Sequence, residues 1–114
     1  MRADERGSGS LLAVALITGT LALTMLFVPL YIVLVAKQRV AGAADAAALA
    51  AADVAIGIVP GVPCEQASVV AEANGAALSG CRQDGAIVTV RASTIVLGLP
   101  VAALATAGPA PPRQ

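Results

Sequence analysis

The sequence predicts a mainly α-helical membrane protein. An N-terminal transmembrane helix extends into a long alanine-rich helix, followed by a small α+β head of one short helix plus one or two strands. Three observations carry this. Hydrophobic residues make up 58% of the 114 and charged residues only 12%, which is too apolar for a soluble domain of this size. Leu11 to Ala36 contains no charge. The only two cysteines, Cys64 and Cys81, both lie beyond that run.

The first element is "LLAVALITGTLALTMLFVPLYIVLVA", 26 residues from Leu11 to Ala36. About 20 apolar residues at ~1.5 Å each cross a hydrocarbon core, so this run spans it with some tilt. A cleaved signal peptide is the alternative, but its apolar region runs to only about 7–15 residues. Here Lys37-Gln38-Arg39 closes the run as a stop-transfer signal would. Pro29 removes one backbone hydrogen bond and predicts a kink that neighbouring helices would compensate. Ala15/Gly19 and Thr18/Ala22 are small residues four apart, where a second helix can approach closely.

The second element is the run "QRVAGAADAAALAAADVA", Gln38 to Ala55. Alanine has the best intrinsic helix propensity, so the helix continues outward. At 100° per residue, Val40, Ala44, Ala47, Ala51, Val54 and Ala55 gather on one side. Gln38, Gly42, Asp45 and Asp53 fall on the other. The apolar side is shallow, suited to close helix-on-helix or helix-on-sheet contact. Asp45 and Asp53 are about 12 Å apart along the axis, too far to share a proton. They read as a solvated face.

Next, "GIVPGVP" (Gly57 to Pro63) breaks the helix with two prolines and two glycines. Glu65 and Asn74-Gly75 then frame a short helix of three turns, with Ala67, Val70, Ala71 and Leu78 as its buried stripe. "RQDG" reads as a turn and "AIVTVRA" as a strand, with Val88 and Val90 on one face and Ile87, Thr89 and Arg91 on the other. "TIVLGLPVAALATA", broken by Gly98 and Pro100, reads as a second strand followed by a tail. "GPAPPRQ" reads as a disordered end.

Orientation follows from the cysteines, because basic residues tie: Arg2 and Arg6 before the span, Lys37 and Arg39 after it. Cys64 and Cys81 suit a disulfide, which persists in an oxidising compartment; two free thiols are the alternative. A disulfide places the N-terminus in the cytoplasm. It would contribute ~3 kcal/mol in the chain-entropy model, a large amount where so little core exists. The resulting division is residues 1–10 as cytoplasmic leader, 11–36 as membrane helix, 37–56 as alanine-rich extension, 57–107 as extracytoplasmic head and 108–114 as tail. The protein is expected in the cell membrane as a single-pass chain contacting lipid.

Several function classes are excluded on composition. Net charge is zero and both aromatics, Phe27 and Tyr31, lie in the span, so nothing points to nucleic acid. The chain has no histidine to activate a serine or complete a zinc site. There is no phosphate-binding glycine loop and no acidic cluster. The chain reads as a non-enzyme without cofactor, metal or small-molecule substrate.

The stretch "VAKQRVAGAADAAALAAA" (Val35 to Ala52), preceded by "ERGS" (Glu5 to Ser8), resembles the TadE/TadG-like proteins of Flp (type IVb, Tad) pilus assembly. "VAEANGAALSGC…GAIVTV" and the terminal "AGPAPP" are similar to a short TadE-like variant found in high-GC bacteria. The resemblance implies a minor pilin or pseudopilin-like component: a cytoplasmic leader, a membrane helix continuing as a stalk, a small outer head, and other pilin-like or secretion-assembly subunits as partners. It implies Gly7 or Gly9 as the point after which the leader would be cleaved. The glutamate usual five residues later is replaced by Leu12 or Val14, which matches TadG-like members with uncleaved leaders. The alternative function is a small regulatory membrane subunit that binds another membrane protein through Ala15/Gly19 and Thr18/Ala22.

Overall fold

A computed structural model describes residues 2–110, with side chains from Gly7 onward. The chain forms one long helix, α1 (Arg2–Ala55), a short helix α2 (Pro63–Ala73), and strands β1 (Ala77–Asp84), β2 (Ile87–Val96) and β3 (Leu99–Ala107). It divides into two compact units, residues 1–32 and 33–114. The expected one or two strands are therefore too few: there are three, in an antiparallel sheet of order β1-β2-β3.

The first unit is helical. Its apolar side chains are exposed from Leu11 (73%) to Tyr31 (69%), as lipid-facing residues would be. This helix is long and apolar enough to cross a membrane. Thr20 and Thr24 turn their hydroxyls onto the carbonyls of Leu16 and Thr20, at 2.7 and 2.8 Å. These bonds satisfy two hydroxyls that hydrocarbon would leave without partners. α1 continues through Pro29.

The second unit has a core of alanine and valine. Val40, Ala43, Ala44, Ala47, Ala48 and Ala51 of α1 pack with Ala67 and Ala71 of α2, and with Val88, Val90, Ala92 and Val101 of the sheet. The expected face of α1 is buried at Val40, Ala44, Ala47, Ala51 and Val54 and half-buried at Ala55, and it is wider, taking in Ala43, Ala48 and Ala52. Gln38, Gly42, Asp45 and Asp53 are exposed as expected. With so little side-chain volume, a core of this kind depends on close packing of its elements for the dispersion contacts larger residues would otherwise make.

Both helices end in the same way. Gly57 (φ 85°) and Gly75 (φ 83°) occupy the left-handed position after α1 and α2. Gly57 N–H donates to Val54 O and Ile58 N–H to Asp53 O. Gly75 N–H donates to Glu72 O and Ala76 N–H to Ala71 O, at 2.9–3.1 Å in all four. These are Schellman closures, which satisfy carbonyls the helix leaves free. Pro63 opens α2, where its missing N–H costs nothing.

Three readings of the head are corrected. Leu78 belongs to β1, not to the stripe of α2. Arg82, Gln83 and Asp84 of "RQDG" lie in β1 as well, and the turn is the two residues Gly85-Ala86, with Gly85 at φ 63°. Gly98 does not interrupt a strand followed by a tail. Leu97-Gly98 is the turn of a second hairpin, and Leu99 to Ala107 returns along β2 from Val96↔Leu99 to Val88↔Ala107. Pro100 is tolerated because β3 is an edge strand. Of the expected disordered end, Gly108 to Ala110 has no regular structure, and residues 111–114 lie outside the described residues.

Candidate functional site

The chemistry available is sparse. Among the described residues no three histidine, cysteine, aspartate or glutamate side chains gather as a metal site would require. Two open depressions mark the second unit. One is lined by Glu72, Gly75, Ala76, Ser93, Ile95 and Pro100, the other by Asp45, Ala48, Leu49 and Ala105 to Gly108. Each holds a single carboxylate, Glu72 in the first and Asp45 in the second. The structure instead presents a cystine clasp and surfaces for packing.

The clasp is the Cys64–Cys81 disulfide, with Cα atoms 5.8 Å apart and a sequence separation of 17. Cys64 lies in the first turn of α2 and Cys81 in β1. Reaching it requires an irregularity in β1. Leu78 pairs with Ala92 but Gly80 pairs with Arg91, so Ser79 is extra, a β-bulge. Alternation alone would send Leu78 and Cys81 to opposite faces of the sheet. The bulge returns both to the core side, opposite Ala92 and Val90. Ser79 Oγ, displaced by the bulge, donates to Arg91 O at 3.2 Å. The disulfide therefore ties α2 to the sheet through one added residue.

A second tie runs from α1 to the sheet edge. Lys37 Nζ donates to Ala102 O of β3. On an edge strand such a carbonyl has no ladder partner, so the ammonium satisfies a backbone acceptor while marking the end of the apolar run. On the outward face, the hydroxyls of Thr89 and Thr106 bond at 3.0 Å across β2 and β3.

The candidate packing residues Ala15, Thr18, Gly19 and Ala22 lie on α1 in the first unit, all exposed. A side chain added at Gly19 meets nothing within 4 Å, so the surface there is open. Gly7 and Gly9, the candidate cleavage positions, also lie within α1 and are equally open. The alanine run is different, because Ala44, Ala47 and Ala51 are fully buried under the chain's own head. Sequence periodicity located that face and left open what covers it; the structure shows α2 and the sheet.

No family model matches this chain, and no match is found among curated proteins or solved structures.

Proposed function

We propose that this protein is a non-enzymatic, membrane-anchored minor pilin or pseudopilin-like component of a Tad (type IVb) pilus or a related secretion system, acting by helix packing. The observation that carries the reading is how α1 divides its work. Its alanine face from Val40 to Ala51 is consumed inside the head, whereas the apolar surface from Leu11 to Tyr31 is uncovered. An exposed apolar span with small residues at Ala15, Thr18, Gly19 and Ala22 supports assembly through the membrane segment. The resemblance of Val35 to Ala52 to TadE/TadG-like proteins supplies the kind of assembly. The Cys64–Cys81 disulfide supports an extracytoplasmic head and a cytoplasmic N-terminus.

The test is a pair of reporter fusions in the native host, one before Leu11 and one after Ala107, read for compartment. An external C-terminal reporter together with loss of piliation or secretion on deletion supports the proposal. A cytoplasmic head ends it. Non-reducing intact mass of the protein from membranes adds the state of the leader. The full chain less two hydrogens means an anchored assembly component, whereas loss of residues 1–7 or 1–9 means an incorporated minor pilin.

A further inference from the structure

We propose that the tip of the β2–β3 hairpin, Ile95 to Leu99, is a lipid-contacting loop that seats among the headgroups of the membrane from which α1 emerges. The inference rests on the membrane-anchored reading but not on which side the head lies. Four observations within the second unit carry it.

The first is register. Lys37 meets Ala102, while Asp45, Ala48 and Leu49 share a depression with Ala105 to Gly108, so β3 runs along α1 with its numbers rising in the same direction. Going back along β3 from Ala102 to the turn at Leu97-Gly98 covers four to five residues, ~13–16 Å at ~3.3 Å each. Val33 to Ala36, the part of the apolar run inside this unit, lie in the same direction from Lys37. The hairpin therefore reaches past Lys37 toward the level of the apolar run's last residues. It also overhangs β1, whose first partner is Ser93.

The second is chemistry. Ile95, Leu97 and Leu99 are 75%, 63% and 58% exposed at the tip. No charged residue occurs from Ala92 to Ala110. Water is a poor solvent for such a tip. The third is strain. Leu97 sits at φ 52°, beside Gly98 at φ 77°. This is the two-residue turn geometry that asparagine-glycine adopts freely and leucine does not. A bulky apolar residue held in a left-handed conformation at an exposed tip points to a use for its side chain. The fourth is depth. Beyond the Ala77↔Ser93 pair, β2 has no β1 partner. Those backbone groups need water or headgroups, which stops the loop at the interface and keeps it out of the hydrocarbon.

The experiment places an environment-sensitive fluorophore on the full-length oxidised chain in phosphatidylcholine–phosphatidylglycerol vesicles. Leu97→Cys and Ile95→Cys report the tip, Leu104→Cys the exposed outer face, and Ile17→Cys the span, each probed with lipids spin-labelled at shallow and deep positions. The expected result is blue-shifted emission at both tip sites, quenched by the shallow label. Leu104→Cys should stay aqueous and Ile17→Cys should respond to the deep label. Aqueous emission at both tip sites with Ile17→Cys still in lipid overturns the hairpin proposal and leaves the anchor standing. Blue-shifted tip emission that lipid labels do not quench overturns it in favour of a protein cover. Aqueous emission at Ile17→Cys removes the anchored reading itself.

Discussion

Ser79 and Leu97 show how much single positions decide in a head this small. Without the extra residue at Ser79, Leu78 and Cys81 would face opposite ways and the clasp to Cys64 could not close. Replacing both cysteines by serine should lower the head's stability by about 3 kcal/mol, read from denaturant midpoints of the full chain in detergent. An unchanged midpoint would mean that the clasp constrains nothing. Leu97, at φ 52°, predicts the opposite sign. Leu97→Asn should raise stability in detergent by about 1 kcal/mol, because asparagine tolerates the left-handed turn. The same variant should weaken the lipid contact, separating stability from use. Gly108 is a third such position. A Cβ there would lie 2.9 Å from Ile87 Cγ1 and 3.2 Å from Ile87 Cα, so Gly108→Ala should cost about 1–3 kcal/mol by overpacking.

At the scale of elements, α1 is the scaffold on which the head is built. Ala47 is fully buried against it, whereas Gly42 is exposed with open space around it. Ala47→Leu should destabilise the head by about 1–3 kcal/mol, since the added atoms must displace α2 or the sheet. Gly42→Ala should stabilise it by about 0.5–1 kcal/mol through helix propensity alone. Thermal midpoints in detergent check the pair, and equal shifts in one direction would contradict the assigned faces. The face of α1 and the bounds of α2 were readable from the residues because 3.6-residue periodicity and glycine closures are local signals. The alternation of Val88 and Val90 was readable for the same reason. Strand β1 was not readable: Ala77 to Asp84 has weak β-forming residues, and its bulge destroys alternation. It is a strand because β2 offers it a ladder, which is a tertiary cause. The second hairpin was hidden by its apolar turn, since Leu97-Gly98 carries none of the polar residues that usually announce one. The clasp pair could be named from cysteine count, but its geometry depended on the bulge.

At the scale of the whole molecule, the two units differ in what they leave uncovered, and that difference makes the last prediction. Alanine residues buried under α2 and the sheet cannot also pack against a neighbour without the head coming apart. Ala47 is such a residue, whereas Gly19 is open. If the chain acts by helix packing, its contacts to copies or to other assembly subunits must pass through the span. A cysteine introduced at Gly19 should therefore form oxidative cross-links in native membranes, either to a copy or to a neighbouring membrane subunit. A cysteine introduced at Ala47 should form none, being shielded by its own head. Gly19→Leu should reduce recovery of the same partners while leaving the thermal midpoint of the head unchanged, because Gly19 lies outside the unit that contains it. A Gly19→Cys chain that remains uncross-linked under conditions that oxidise an exposed control thiol would remove helix packing as the mode of action. Cross-linking from Ala47 alone would mean that the head opens in the assembly, and that the alanine face changes partners when it does.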